Sequence, residues 1–200
     1  MTRLLSFFAA AVFAPAVVLA ATIGQPAPDF RTTDIEGKAQ EIAALKGRIV
    51  VLEWNNPECP FVKKHYDSKN MQKLQEKAAK DGVVWLTINS SAIGKQGSME
   101  IEQAKKYVAD QSAKPAGYIL DHKGTIGKAY GASATPHMFV IAADGTLAYQ
   151  GAIDDNNSAN AADAHSAKNY VTAAVDALKA GSAPAVSATT AYGCGVKYAD

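Results

Sequence analysis

Two short stretches of this chain are almost continuously apolar. Residues 48–54 (RIVVLEW) and 83–89 (VVWLTIN) are rich in β-branched and aromatic side chains. Runs of that length and composition predict strands buried on both faces. Between them, residues 60–80 place Met71, Leu74 and Ala78 on one helical face. Pro60 suits the first helical position, where its missing N–H costs nothing, and Asp67-Ser68 is the expected break into two helices. A further helix is predicted over 99–110, turning Ile101, Ala104 and Val108 inward. A short strand follows at 118–120 and a short helix at 125–130. Strands 137–142 and 146–150 flank Ala143-Asp144-Gly145, a hairpin signal. The last helix spans 168–180, with Tyr170, Ala174, Ala177 and Leu178 inward and Gly181 as its stop. Ahead of all these, residues 30–33 and 38–42 around Asp34-Ile35-Glu36-Gly37 read as a small hairpin. Buried strands joined by helices imply βαβ crossovers. The expectation is an α/β fold with a mixed central sheet flanked by helices and an N-terminal β-hairpin.

The two ends follow different rules. In residues 1–20, Arg3 precedes an apolar run that closes on Val18-Leu19-Ala20. That is the pattern of a secretory signal peptide cut near Ala20; the run is short for a membrane span and Pro15 interrupts it. The expected location is periplasmic or secreted, with no stable membrane insertion after signal removal. Residues 182–190 are a linker of small residues, and the chain ends in AYGCGVKYAD. The domain plan is therefore a signal at 1–20, a domain at 21–181 and a flexible tail at 182–200 that carries Cys194.

Composition narrows the function. The chain has 200 residues, 48% hydrophobic, with 20 basic against 19 acidic side chains. A nearly neutral chain with no basic run is a poor nucleic-acid binder. Two cysteines are too few for a disulfide scaffold or a Cys-rich metal cluster but enough for one redox pair. Residues 94–97 (GKQG) are too short and ill-spaced for a phosphate loop. Residues 154–157 (DDNN) lack calcium-ligand spacing and read as a solvated turn. No cofactor and no metal are expected.

The candidate chemistry centres on Cys59, at the junction of a buried strand and a helix start. Unpaired N–H groups and the positive end of the helix dipole stabilise a thiolate there, and Lys63 and Lys64 add positive potential one turn on. Cys194, between two glycines, reads either as a mobile resolving thiol or as half of a structural disulfide. A Cys59–Cys194 bond would close a loop of more than 130 residues, worth roughly 5 kcal/mol by chain entropy. Glu53 is either a proton acceptor for the departing thiol or the partner of Lys63 or Lys64, or simply exposed; the latter readings are favoured. Trp54 reads as core and His65 as surface. His137 either approaches the thiol or simply starts a strand.

The order of elements resembles the thioredoxin fold. More narrowly, Ala27-Pro28-Asp29-Phe30, the stretch Asn56-Pro57-Glu58-Cys59-Pro60-Phe61-Val62-Lys63-Lys64-His65-Tyr66, Thr135-Pro136-His137-Met138-Phe139-Val140 and Gly193-Cys194-Gly195-Val196-Lys197-Tyr198 resemble an exported, peroxiredoxin-like group of the AhpC/TSA (redoxin) family. The resemblance implies that Cys59 is the redox-active thiol. It also implies that Pro136 is cis and packs beside Cys59, presenting the Thr135 backbone to a substrate. Asn56 stands where a thioredoxin has its first cysteine, in the manner of the peroxiredoxin Thr-x-x-Cys, and an amide there would reach toward thiolate or peroxide. Leu52 replaces the peroxiredoxin proline, and neither Arg31 nor Arg48 matches the peroxiredoxin arginine. The implied function is a thiol-dependent oxidoreductase in which Cys59 attacks a small peroxide or a protein disulfide, Cys194 resolves the intermediate, and a thioredoxin-like reductant restores the thiols. Two other readings stand beside it: a Sco-like copper module built from Cys59, His137 and Cys194, and a disulfide-stabilised interaction domain without turnover.

Overall fold

The structure is a computed structural model that describes residues 21–199; the expected signal at 1–20 lies outside the described residues. The chain opens with a hairpin, β1 (Arg31–Thr33) against β2 (Ala39–Glu41), and a 3-10 turn at Ala43–Leu45. It then runs through β3 (Val50–Trp54), α1 (Pro60–Asp67), α2 (Asn70–Lys80), β4 (Val84–Asn89), α3 (Ile101–Asp110), β5 (Gly117–Leu120) and α4 (Thr125–Tyr130). Next come β6 (Ala134–Thr135), β7 (His137–Ile141), β8 (Leu147–Gly151), a 3-10 helix at Ala161–His165, α5 (Tyr170–Lys179) and β9 (Cys194–Gly195).

Five strands form the central sheet in the order β5-β4-β3-β7-β8. β3, β4 and β5 are parallel, and β7 and β8 are antiparallel additions. This is the mixed sheet flanked by helices that the apolar runs predict. Alternation along β3 separates two cores. Val51 faces the layer of α1, α2 and α5, with Val62, Met71, Ala78 and Val171. Val50, Leu52 and Trp54 face the opposite layer, with Ile126, Tyr130 and Phe139. Trp54 is fully buried as expected, and its indole N–H donates to Ser90 Oγ at 3.1 Å.

The helix of residues 60–80 does split, and Lys69 marks the break with φ +61°. Three local expectations are corrected. Ile101 is 51% exposed rather than inward, because α3 starts on it and its first turn lies off the core. His65 is buried rather than on the surface, because the segment that covers it comes from much later in the chain. Asp154 of the anticipated solvated turn is buried as well.

The tail lies along the domain. Thr189 N–H donates to Gln150 O, and its hydroxyl meets Tyr149 Oη at 2.6 Å and Ala152 N at 2.9 Å. β9 then pairs antiparallel with β6, Thr135 opposite Cys194 and Ala134 opposite Gly195. Beyond it, Ala92 N–H donates to Lys197 O and Tyr198 Oη donates to Ala132 O at 2.7 Å. Composition conceals this: the linker is made of small residues, and Thr189, Tyr192 and Tyr198 supply side-chain anchors on the domain.

Candidate active site

Cys59 caps the N-terminus of α1 with extended backbone (φ −74°, ψ 123°). The loop from β3 delivers it there. Cys59 N–H donates to Asn56 O at 3.0 Å, Asn56 Oδ1 accepts from Glu58 N–H at 2.9 Å, and Asn56 Nδ2 donates to Gln96 O at 3.2 Å. Asn56 therefore staples the Cys59 loop to the loop of Gln96 and Gly97, and its amide is engaged on both sides. A side chain at Gly97, where φ is +77°, would strike this amide.

The Cys59 thiol is wholly buried and donates to Thr135 O at 3.0 Å. The Thr135-Pro136 bond is cis, and Thr135 Oγ1 donates to Cys194 O at 3.3 Å. Both cysteines are free thiols. Their proton affinities diverge. Burial opposes a thiolate at Cys59, but hydrogen bonds from the Cys194 and Thr135 side chains and from the Cys194 and Val62 backbone outweigh it, and the thiol sits below its ordinary range. Cys194 is pushed up to about 11 by burial and then by the neighbouring Cys59 sulfur. Of the two thiols, Cys59 is the readier to ionise and Cys194 the one that holds its proton.

Glu53 lies under α1, one strand position before Trp54 on the face opposite to it. Both its oxygens are saturated by uncharged donors. Tyr66 Oη at 2.8 Å and Asn55 Nδ2 at 3.2 Å reach Oε1. Trp85 Nε1 at 2.8 Å, Thr87 Oγ1 at 3.0 Å and Gln75 Nε2 at 3.3 Å reach Oε2. Burial pushes its carboxyl above the ordinary range, against the pull of these hydrogen bonds. The favoured expectation of a lysine partner or solvent exposure is overturned: β3 is buried on both faces, so its acid needed donors from β4, α1 and α2. Cys59 is not among those donors, and Glu53 reaches α1 seven residues beyond the thiol, at Tyr66.

Lys64 turns away from the thiol as well. Its side chain is buried, and its ammonium donates to Asn156 O at 2.6 Å and lies 3.8 Å from Asp154. Beside it, His65 Nδ1 meets Asn70 Nδ2 at 2.9 Å and Nε2 meets Tyr192 Oη at 3.3 Å. The asparagine amide is a donor, so Nδ1 accepts and Nε2 carries the proton. The Tyr192 hydroxyl in turn donates to Asp154 Oδ1 at 2.5 Å. Sequence reasoning missed Tyr192, Asp154 and this role of His65. The one signal was a tyrosine two residues before Cys194.

His137 starts β7. It shares a sheet face with Phe139, 4.5 Å away between ring centroids, which is the face opposite the Cys59 core. Its Nδ1 accepts from Ser133 N–H at 3.2 Å. The Sco-like arrangement is therefore not favoured. Burial lowers His137 to about 4 and, with the Lys64 charge, His65 to about 3. Both are neutral at pH 7. A histidine whose folded pKa lies below its unfolded value of about 6.5 stabilises fully above that value and loses the contribution as pH falls. Urea unfolding is expected to show a drop of a few kcal/mol between pH 6.5 and 4. His65→Gln and His137→Gln are each expected to flatten that slope; slopes identical to the parent would contradict the assignment.

Residues 23–150 match the AhpC/TSA family. The thiol-disulfide oxidoreductase ResA of Bacillus thuringiensis is 30% identical over 125 residues, covering 62% of this chain and 66% of that protein. The match thus spans just under two thirds of this relative's length. An uncharacterized conserved protein of Geobacillus kaustophilus superposes with a TM-score of 0.77 at 25% identity, over 89% of this chain and 93% of that one. The thioredoxin domain of a thiol-disulfide oxidoreductase of Bacteroides vulgatus superposes with a TM-score of 0.52 at 16% identity, over 66% and 89%. The fold is thioredoxin-like.

Proposed function

The chain belongs to the AhpC/TSA family, and within it we propose a thiol-disulfide oxidoreductase that works through Cys59 and Cys194. The observation that carries this reading is the thiol pair itself: Cys59 at the N-terminus of α1, hydrogen-bonded to the Thr135 carbonyl at 3.0 Å, with Cys194 held opposite Thr135 in the β6–β9 ladder. The Cys59 thiolate attacks one sulfur of a substrate disulfide, forming a mixed disulfide and expelling a thiolate that takes a proton from solvent. Cys194, deprotonated, then attacks the Cys59 sulfur. The Cys59–Cys194 bond forms, the second substrate thiol leaves, and two electrons have passed to the substrate. A thioredoxin-like dithiol partner returns the pair to its reduced state.

Two features favour a disulfide over a peroxide as substrate. The amide of Asn56 is spent on the loop, and Arg31 and Arg48 engage Glu41 and Gly82 O away from the thiol. The signal-like pattern of residues 1–20 supports an exported protein, and no helix among the described residues is long and apolar enough to cross a membrane.

The test compares oxidation of the reduced protein by a peptide disulfide and by hydrogen peroxide at equal concentration. Exchange with the peptide disulfide is expected to be the faster by at least about tenfold. Faster oxidation by peroxide would make the protein a peroxidase instead.

A further inference from the structure

Tyr192 sits where the tail meets the buried charges of Lys64 and Asp154. Its ring packs edge-on against Phe61 at 5.8 Å and lies 5.5 Å from the Lys64 ammonium. Its hydroxyl bridges His65 and Asp154. These partners come from both sides of the candidate site. Phe61, Lys64 and His65 belong to α1, the helix that Cys59 caps, and Asp154 follows β8. Asp154 Oδ1 accepts from the Tyr192 hydroxyl and from Asn156 N–H at 3.1 Å, while Oδ2 is buried without a hydrogen-bond donor, 3.8 Å from the Lys64 ammonium; Tyr192 is thus the side-chain hydrogen-bond donor to this carboxylate. Two residues later the tail must be in register on β6. Gly193 makes the turn with φ +123°, and a side chain there would run into the Thr135 carbonyl.

We propose that Tyr192 is a positioning residue for the redox pair: its phenol, locked on the Asp154–His65–Lys64 cluster, sets the register in which Cys194 meets the Cys59 sulfur. The inference rests on the oxidoreductase reading above and adds a residue to it. The mechanism is geometric. A tail free to slide or lift spends less time with Cys194 at bonding distance, which lowers the effective concentration of the resolving thiol. The same lock covers Cys59, so releasing it opens the thiol to reagents in solution.

Tyr192→Phe removes the hydroxyl and leaves the ring. With the protein equilibrated in glutathione redox buffers, the equilibrium constant for the Cys59–Cys194 disulfide is expected to fall about tenfold, equivalent to ~30 mV. Asp154→Asn is expected to give the same loss, and the double variant no more than either alone. Val84→Ala, a core truncation in the other layer, tests for general destabilisation and is expected to leave the constant unchanged. A Tyr192→Phe constant within twofold of the parent, or an equal shift in Val84→Ala, would overturn the proposal.

A second measurement does not depend on turnover. In a Cys194→Ser background, the plateau rate of Cys59 alkylation at high pH is expected to rise at least tenfold on adding Tyr192→Phe. An unchanged plateau refutes the lock. A raised plateau, in a protein whose parent forms no disulfide in any buffer, would refute the oxidoreductase reading and leave the lock standing.

Discussion

The Cys59→Ser substitution is expected to abolish disulfide exchange, lowering its rate by at least about a thousandfold. The cap position turns the side chain into the field of α1, and Val62 N–H and Cys194 stabilise the negative sulfur. A hydroxyl in the same place stays protonated and has no comparable nucleophilicity. Cys194→Ser is expected to behave differently: the first attack proceeds and the mixed disulfide accumulates on Cys59, because nothing remains to resolve it. The pH dependence has a definite sign. The Cys59 thiol lies below the ordinary 9.0, so the rate of first attack rises with pH and levels off before a free cysteine would. Stopped-flow exchange with a peptide disulfide from pH 5 to 10 reads both the loss and the profile. A Cys59→Ser protein retaining a tenth of parental activity would place the nucleophile elsewhere.

The second large effect falls on stability. Glu53→Ala is expected to cost on the order of 4–5 kcal/mol, well above the ordinary range for single substitutions. Five donors would lose their acceptor at once, and a cavity would open between β3 and α1. Hydrogen bonds to a charged acceptor are stronger than neutral ones, and the stranded indole N–H of Trp85 and hydroxyls of Tyr66 and Thr87 are buried. Glu53→Gln keeps the volume but presents an NH2 group to donors, so a loss of ~2–3 kcal/mol is expected. Trp85 bonds directly to this carboxylate, which makes tryptophan fluorescence during urea unfolding a local as well as a global probe. A loss below ~1 kcal/mol for Glu53→Ala would mean that the network is not a structural keystone. Retained stability with lost exchange would restore Glu53 to a role in proton transfer.

Much of this architecture was legible in the chain. The runs 48–54 and 83–89 read as buried strands, and β3 and β4 lie within them. Cys59-Pro60 marked a helix start because proline fits the first turn, and α1 begins on Pro60. The pairing of β6 with β9 was not legible: two-residue strands have no periodicity to read. The burial of His65 and Lys64 depends on Asp154 and Tyr192, which lie about 90 and 127 residues further on, so helix periodicity alone placed His65 on the surface. Glu53 carried a signal that went unused. An acid inside a strand buried on both faces must find its donors on neighbouring elements; Lys63 is exposed, and Lys64 is turned to Asn156 and Asp154 instead.

The central claim is that Cys59 attacks and Cys194 resolves within one chain. The direct measurement treats the reduced protein with one equivalent of oxidised glutathione, quenches with an alkylating reagent at short times and maps the cysteine peptides. The prediction is a transient glutathione adduct on Cys59, followed by an intramolecular Cys59–Cys194 disulfide and two released glutathione thiols. An adduct that stays on Cys59 with Cys194 free, or one that forms first on Cys194, would contradict the account.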